Sequence, residues 1–261
     1  MKKNFMCKFL ISVLFAFFIS CLNVEANTNT FVSLSPALTE VMYALGAQDM
    51  LLGVSNACDT PEDAKSKEKI GDSFFVNYEK ILKLKPNYIL ALDSSGFALA
   101  QLKKFGITPL CFKYPDIESI HQNILEVGKL TGKLKEAENL VNVSNSKIKK
   151  TRTYKPKKIL YLVQPEPMIT VGNKSFISDM IAKSGNVSIT ADINSYYPVI
   201  NEEFAVLQKP DVVVLGFMTE SFRIKKLFPN AKIVVINRLQ SNYINRPGPN
   251  IYKAVEFFSN L

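Results

Sequence analysis

Stretches of apolar, β-forming residues alternate with stretches of helical periodicity along most of the chain after Thr30. The first pair is FVSLS followed by PALTEVMYAL, in which Pro36 is a favoured first helical residue and Gly46 a favoured helix terminator. The same alternation predicts strands at residues 51–55, 88–92 and 108–112, and helices at 78–84 and 97–105. Because such strands are joined by helical crossovers, this half of the chain is predicted to form a largely parallel sheet.

A different pattern begins at Asp116, where the strand signal disappears until about Thr153. The apolar residues of this segment recur at helical spacing: Ile117, Ile120, Ile124, Val127, Leu130, Leu134, Ala137, Leu140 and Val141. The spacing predicts one continuous helix of roughly 35 residues, about 50 Å long, which Gly128 and Gly132 can bend.

The alternation of strands and helices returns after Pro156. It predicts strands at residues 158–164, 212–216 and 232–237, and helices at 176–184, at 202–207 and at the end of the chain. The predicted fold class is therefore α/β. An N-terminal lobe of residues 27–115 and a C-terminal lobe of residues 155–261, each with a parallel sheet, are joined by a bridging helix at residues 116–154.

One short unit occurs twice, once in each predicted lobe. VNYEKILKLKPNYILAL begins at residue 76 and INEEFAVLQKPDVVVLG begins at residue 200, so that Glu79 and Glu203 occupy equivalent positions behind an Asn. A Glu in the first turn of a helix is favoured by the helix dipole, which requires no function. Two exposed carboxylates, one on each lobe, would equally form a two-point docking feature for a basic partner. The spacing alone supports both explanations.

The N-terminal 26 residues have the pattern of an export signal. Three lysines precede an apolar run, residues 9–18, that is too short to span a bilayer. Cleavage after Val24-Glu25-Ala26 would start the mature chain at Asn27, whereas the alternative site, residues 18–21, resembles a lipobox that would lipidate Cys21. The first site is preferred because the lipobox has Phe in place of the usual Leu. The protein is predicted to be periplasmic, with a membrane tether only if Cys21 is lipidated.

Composition narrows the possible partners. The chain is 47% apolar and carries a formal charge of +9, which falls to +7 when residues 1–26 are removed. The lysines are scattered, and their densest run, residues 149–158, contains only Tyr154 as an aromatic platform, so no nucleic-acid partner is predicted. Cys58 and Cys111 fall in separate elements and are predicted to stay unpaired. His121, the single histidine, is predicted to be a solvated or packed helix residue, and no metal site is expected.

An enzymatic function receives little support. Asp59, Asp72 and Asp93 follow predicted strands and could converge in a cleft. They are not accompanied by a nucleophile elbow, a phosphate-binding glycine loop or a histidine partner. A binding protein is therefore predicted rather than an enzyme.

Several segments in order carry a family resemblance: FVSLSPALTEVMYALGA, LGVSNACDTPEDA, KIGD, NYEKILKLKPNYILA, the long helix and NRPGPN. Together they resemble the helical-backbone metal receptor superfamily, and within it the cobalamin-binding proteins of vitamin-uptake ABC transporters. The resemblance covers residues 30–261. It implies a monomeric solute-binding protein without a resident cofactor, with its ligand in the cleft between the lobes and only small lobe closure. It also implies that Glu79 and Glu203 dock onto arginines of a permease dimer.

Ligand-binding candidates are the residues at the carboxyl ends of strands and the aromatics near them. These are Pro36, Asn56, Ser73, Phe74, Leu92, Asp93, Ile169, Tyr196, Tyr197, Asn242, Tyr243 and Arg246. The chain departs from the cobalamin-binding pattern here, because Ala57 stands at the family's Tyr and no Trp is present. The family's cleft tryptophans match Ser73, Leu92 and Tyr197.

Three ligand classes remain open, with a corrinoid placed first. A corrinoid requires a wide apolar cleft with polar groups that suit amides. Haem usually requires an axial Tyr or His, for which Tyr196, Tyr197 and Tyr243 are the candidates. A ferric siderophore is usually anionic and would require basic residues, of which Arg246 is the clearest and Arg238 a second candidate.

Overall fold

The computed structural model describes residues 29–72, 75–93, 96–105, 107, 109–151, 153, 155–216 and 222–261. The N-terminal lobe contains β1 (Phe31–Ser33), α1 (Pro36–Ala44), β2 (Leu51–Val54), α2 (Tyr78–Leu84), β3 (Tyr88–Leu92), α3 (Gly96–Lys104) and β4 (Leu110–Phe112). Its strands form a sheet of order β2-β1-β3-β4, and every neighbouring pair is parallel. The predicted signal peptide and the possible lipidation site Cys21 lie outside the described residues.

The C-terminal lobe repeats this plan. It contains β5 (Lys158–Pro165), β6 (Met168–Thr170), α6 (Phe176–Lys183), β7 (Val187–Ser188), α7 (Glu202–Leu207), β8 (Val212–Leu215), α8 (Phe222–Leu227), β9 (Lys232–Val235), α9 (Arg238–Asn245) and α10 (Ile251–Ser259). The sheet order is β6-β5-β8-β9, with β7 beside the start of β5, and only the β5–β6 pair is antiparallel. All four residues of β8 are buried, as expected for a central parallel strand that is covered on both faces. The α/β prediction with two lobes is confirmed.

The connection between the lobes differs from the single helix that the apolar spacing predicts. It consists of α4 (Ile117–Leu130) and α5 (Leu134–Lys150), and the chain reverses between them at Gly132, whose φ is 70°. A Cβ on Gly128 would lie 2.5 Å from the Cβ of Ala137, so the two helices pack closely there. Helical periodicity continues through the turn because both helices bury an apolar face, and spacing alone therefore could not reveal the break.

Among the described helices, α4 packs against both lobes. It packs against α1 of the N-terminal lobe and α6 of the C-terminal lobe, whereas α5 packs against α4 and α10. The 14 residues of α4 correspond to a length of about 21 Å, well below the predicted 50 Å. The bridge is thus a short helix braced by a second helix. No helix among the described residues combines the length and the apolar character needed to cross a membrane.

Cys58 and Cys111, the cysteines within the described residues, are unpaired, as predicted. Cys58 is buried behind the end of β2, and Cys111 is exposed within β4. Because β2 and β4 form opposite edges of the same sheet, the two thiols are held apart.

His121 is a packed residue of the α4–α5 contact and is 1% exposed. Its Nε2 lies 3.0 Å from the Oγ of Ser144 on α5. Its Nδ1 has no hydrogen-bond partner among the described residues. Burial lowers the pKa of His121 below 6.5, and the nearby Glu118 opposes this shift. The neutral imidazole is therefore the form that the fold favours.

We expect the free energy of unfolding to decrease as the pH falls below about 6.5, the ordinary pKa of histidine. In that range the unfolded chain binds a proton at His121 that the folded chain resists, so acid favours unfolding. Urea denaturation at pH 7.5 and pH 5.5 measures the effect. The His121→Gln variant should lose part of the difference between the two pH values. An equal difference in the wild type and the variant would contradict this account.

Candidate functional site: the cleft between the lobes

The repeated sequence unit folds the same way in both lobes. Asn77 accepts a hydrogen bond from the backbone N–H of Lys80 at 3.0 Å, and Asn201 accepts one from that of Phe204 at 2.7 Å. At the other end of the unit, Lys85 and Lys209 both adopt left-handed backbone conformations, with φ values of 48° and 49°. These equivalent helices, α2 and α7, precede strands β3 and β8.

The glutamates of the two units are both exposed. The carboxylate of Glu79 lies 2.7 Å from the Nζ of Lys83, one turn further along α2. Within the described part of the chain Glu203 forms no ion pair, and its neighbour Glu202 pairs with Arg223. Each lobe therefore presents an accessible carboxylate near the N-terminus of the equivalent helix.

A hollow of about 300 Å³ lies between the lobes at the carboxyl ends of the strands. Its lining residues are Asp93, Tyr114, Ser175, Phe176, Tyr196 and Tyr197. Asp93 comes from the end of β3, Tyr114 from the segment that leads into α4, and the other residues from the C-terminal lobe. The hollow thus brings together Asp93, Tyr196 and Tyr197, three of the predicted ligand-binding residues.

Aromatic rings form most of the wall of this hollow. Tyr114 packs edge-on against Phe176, with ring centroids 5.7 Å apart. Tyr196 and Tyr197 are 48% and 44% exposed, so part of each residue is accessible to a ligand. Partial burial raises the pKa of the Tyr197 phenol, and the neighbouring Tyr114 raises it further. The Tyr197 phenol is therefore neutral at neutral pH, and a hydrogen bond with Ser175 partly opposes the rise in its pKa.

Tyr114, Ser175 and Phe176 are site residues that the sequence prediction missed. Tyr114 follows β4, so the strand-end rule applied to that strand would have found it. Ser175 is the N-cap of α6, and its Oγ accepts a hydrogen bond from the backbone N–H of Ile177 at 3.3 Å. Phe176 could not have been identified from the sequence, because an aromatic residue at the start of an amphipathic helix is usually a residue of the hydrophobic core.

An ion-pair network joins the two lobes beside the cleft. The guanidinium of Arg246 lies 2.7 Å from a carboxylate oxygen of Glu40 and 2.8 Å from one of Asp59. Arg238 contacts the second oxygen of Asp59 at 2.9 Å, and the amide of Asn242 is 3.4 Å from the hydroxyl of Thr60. Arg246 is therefore engaged by two carboxylates of the opposite lobe.

Burial and the ion pairs of this network shift the pKa values of Glu40 and Asp59 in opposite directions. Burial raises the pKa of Glu40 above 4.5, although the hydrogen bond and the charge of Arg246 oppose the shift. Partial burial would also raise the pKa of Asp59, but hydrogen bonds from Arg238 and Arg246 outweigh it and lower the pKa to about 2. Asp59 is thus firmly ionised at neutral pH.

Tyr243 lies away from the hollow that Tyr196 and Tyr197 line. It borders a second hollow, of about 650 Å³, together with Lys147 and Tyr252. The sequence analysis placed Asn242, Tyr243 and Arg246 at the carboxyl end of a strand, whereas residues 238–245 form helix α9. Successive residues of a helix point about 100° apart, so Asn242 faces the N-terminal lobe while Tyr243 faces α10. Arg246 follows the end of α9 in extended backbone and also contacts the N-terminal lobe.

The other described candidates are not among the residues that line the hollow between the lobes. Pro36 begins α1 and Leu92 ends β3, and both are half-buried. Asn56 is exposed in the loop after β2, and Ile169 is half-buried in β6. Ser73 and Phe74 lie outside the described residues. Among the described residues, no group of three or more His, Cys, Asp and Glu side chains could hold a metal ion.

The fold and its cleft define a class of protein. Two α/β lobes that enclose a ligand-sized hollow and are bridged by a short helix are the architecture of a solute-binding protein. The periplasmic binding protein family matches residues 31–230, and the chain belongs to it. It is a substrate-binding protein of ABC transport and not an enzyme, and what such a protein carries is a transported ligand rather than a cofactor.

Individual relatives are moderately similar. An ABC transporter substrate-binding lipoprotein of Bacillus subtilis, YvrC, is 29% identical over 251 residues, covering 89% of this chain and 79% of the relative. The vitamin B12-binding protein of Vibrio cholerae is 26% identical over 239 residues, covering 86% of each chain. The structure of the periplasmic heme-binding protein HutB of Vibrio cholerae matches with a TM-score of 0.76 and 19% identity, covering 90% of this chain and 98% of that one. This last likeness concerns the fold.

Proposed function

We propose that this protein captures a corrinoid of the cobalamin type in the periplasm and delivers it, as a monomer, to the permease dimer of an import ABC transporter. The observation that carries the choice of ligand is the charge of the cleft. Its described lining contains the carboxylate of Asp93 and no cationic side chain. Arg246 is neutralised by Glu40 and Asp59, so it lacks a free charge for an anionic ligand.

This charge balance favours a ligand that carries amides rather than carboxylates. Buried carboxylates of a ligand require charged or hydrogen-bonded partners, because an uncompensated charge costs several kcal/mol to desolvate. Amide side chains of a corrinoid could donate to Asp93 and accept from the hydroxyls of Ser175 and Tyr197. The rings of Tyr196 and Tyr197 would supply flat apolar contact to the macrocycle.

The size of the hollow adds a requirement. A volume of about 300 Å³ is at the small end of the usual range for ligand sites. A corrinoid would need the lobes to separate slightly and the residues around the cleft edge to join the contact surface. Pro36, Asn56, Ser73, Phe74, Leu92 and Ile169 remain our candidates for that outer ring.

Haem is the second candidate. Tyr196 supports it, because this half-exposed phenol at the hollow could approach a haem iron as an axial ligand. The likeness to a heme-binding protein is consistent with this reading at the level of the fold. The described lining offers no cation to pair with the propionates of haem or with the anionic groups of a ferric siderophore. Both ligands are therefore placed behind the corrinoid.

The delivery step is assigned to the repeated glutamates. Glu79 and Glu203 are exposed at equivalent positions of the two lobes. Basic residues on each half of a two-fold symmetric permease could therefore engage the two carboxylates together. Two linked contacts also bind more tightly than either alone.

The location follows from the family and from the N-terminal pattern. A signal peptide of residues 1–26 would release the chain into the periplasm. Lipidation of Cys21 would instead hold it at the membrane, and the similarity to a Bacillus subtilis lipoprotein keeps this second possibility open. The mass of the mature protein distinguishes the two outcomes.

Parallel titrations of the mature chain, residues 27–261, with cyanocobalamin and haemin test the ligand. We expect saturable one-to-one binding of cyanocobalamin, followed by tyrosine fluorescence and by the visible spectrum of the ligand. A haemin spectrum with a tyrosinate-to-iron charge-transfer band, without any response to cyanocobalamin, would identify haem as the ligand instead.

The rings of the hollow can be tested with a matched pair of variants. We expect Tyr197→Ala to weaken cyanocobalamin binding about tenfold, because a buried aromatic contact contributes about 0.5 to 1.5 kcal/mol beyond its area. Tyr243→Ala removes an equal ring from the second hollow and should leave the affinity unchanged. Equal affinities for the two variants would exclude Tyr197 from the binding site.

A further inference from the structure

The repeated unit carries a second shared feature besides its glutamate. Two residues before the Asn N-cap, the N-terminal lobe has Phe75 and the C-terminal lobe has Val199. Phe75 is 82% exposed and Val199 is 66% exposed. Five residues after the N-cap, Leu82 and Val206 are also equivalent, and they are similarly exposed, at 41% and 40%. Along the sequence of each unit, the exposed glutamate therefore lies between two exposed apolar residues.

The backbone holds these side chains in place. The N–H of Phe75 donates to a carboxylate oxygen of Asp72 at 2.8 Å, and the N–H of Asp72 donates to the carbonyl of Phe75 at 3.1 Å. Gly71 has a φ of 96°, and a Cβ there would lie 2.0 Å from that same carbonyl oxygen. Position 71 therefore requires glycine, and the two hydrogen bonds with Asp72 hold the backbone of Phe75 in place.

Val199 is fixed by a different route. It forms an antiparallel bridge with Ile169 of β6. The residues on either side are also bonded to this strand, since the N–H of Thr170 donates to Pro198 and that of Ile200 donates to Met168. Both exposed side chains thus stand on ordered backbone, so that burying them against a partner would cost little backbone entropy.

Single exposed apolar side chains are common on protein surfaces and require no explanation. Here exposed apolar side chains recur at equivalent positions of the two lobes, although the surrounding residues differ. In each lobe the first of them precedes an exposed glutamate by four residues. Apolar contacts around a charge exclude water and strengthen its ion pair. Because one chain presents the pattern twice, the partner that fits it best presents two equivalent surfaces.

We propose that Phe75 and Val199 are apolar anchors, supported by Leu82 and Val206, that pack against the two subunits of the permease dimer beside the ion pairs of Glu79 and Glu203. This inference rests on the proposed delivery to a permease. It adds that docking depends on apolar burial as well as on charge, so that part of the interaction should persist at high salt.

Site-specific photocross-linking tests this interface without any assumption about the ligand. Benzoylphenylalanine replaces Phe75, Val199 or Val187 in the full chain, produced in cells that carry the transporter. Val187 is a 52% exposed control at the opposite end of the C-terminal lobe, where β7 begins. We expect positions 75 and 199, and not 187, to cross-link to the membrane-spanning subunit, identified by mass spectrometry.

Uptake measurements provide a second test of the apolar anchors. The Phe75→Ala/Val199→Ala variant should take up labelled cyanocobalamin at least about tenfold more slowly at limiting protein, the expected effect of losing about 1.4 kcal/mol of docking energy. Its affinity for cyanocobalamin should be unchanged. The Val187→Ala control should take up cyanocobalamin at the wild-type rate.

The outcomes separate this inference from the proposed function. Cross-links to the permease in a protein that does not bind cyanocobalamin would support the interface and reject the corrinoid. Cyanocobalamin binding and uptake that depend on Glu79 and Glu203, without cross-links at positions 75 and 199, would reject the anchors and retain the function. Cross-links to a second copy of this chain would also overturn the proposal.

Discussion

Charge reversal of both repeated glutamates, in the Glu79→Lys/Glu203→Lys variant, is expected to abolish transport while leaving ligand affinity unchanged. Both side chains are exposed and neither lines the described hollow, so the cleft should be intact. On the permease, each new lysine would face a basic residue, and like charges in an interface cost several kcal/mol. Two such contacts reduce the occupancy of the docked state below a useful level.

The measurement is the initial rate of labelled cyanocobalamin uptake in cells that lack the native copy, together with equilibrium dialysis of the purified variant. A matched control reverses Glu126 and Glu138, two exposed glutamates of α4 and α5, and so changes the net charge equally. Wild-type uptake by the double variant at positions 79 and 203 would rule out the docking role. Equal loss of uptake in the control would indicate a general effect of charge.

Replacement of the largely buried Arg246 by Met should lower the free energy of unfolding by about 3 kcal/mol. The variant leaves Glu40, which is only 7% exposed as a side chain, next to Asp59 without its cation. Removing one partner of a buried ion pair costs about 3 to 5 kcal/mol, because the remaining charge is still desolvated. We use the lower end because Asp59 keeps its contact with Arg238.

Arg238 provides the internal control for this prediction, since it binds the same carboxylate from an exposed position. Its side chain is 70% exposed, and Arg238→Met should cost less than about 1 kcal/mol. The double variant Glu40→Met/Arg246→Met removes both buried charges and should recover part of the loss. Urea denaturation compares the variants. Similar stabilities for the Arg246 and Arg238 variants would show that burial does not determine the strength of this network.

The same network bears on ligand capture. Arg246 on the C-terminal lobe is bonded to Glu40 and Asp59 on the N-terminal lobe, so these contacts help to set the width of the cleft. We expect the short bridging helix α4 to limit how far the lobes can separate. A ligand larger than the hollow must therefore gain enough contact energy to loosen the contacts between Asp59 and the two arginines.

Local interactions explain why much of the fold could be predicted from the sequence. The repeated units have the predicted bounds, with α2 at Tyr78–Leu84 and α7 at Glu202–Leu207. The signals that define these units act within a few residues of one another: an Asn N-cap, a Lys-Pro pair and an apolar run. They can therefore be recognised without knowledge of the rest of the chain. The break at Gly132 is local too, but the continued apolar period concealed it.

The site was only partly predictable for the opposite reason. Asp93, Tyr196 and Tyr197 could be placed because strand ends of parallel sheets converge. Tyr243 and Arg246 were both predicted to contact the ligand, but Tyr243 belongs to α9 whereas Arg246 lies just beyond its end in extended backbone, and the two side chains have different surroundings.

The sequence by itself determined the α/β alternation of the two lobes and the equivalent glutamates, since each depends on neighbours along the chain, but it did not show the break between α4 and α5. Only the tertiary structure decided that Tyr114 and Phe176 meet at the hollow and that Arg246 is neutralised by Glu40, 206 residues away. Contacts of that kind depend on how the lobes pack, because burial of apolar faces, rather than any local motif, brings such distant side chains together.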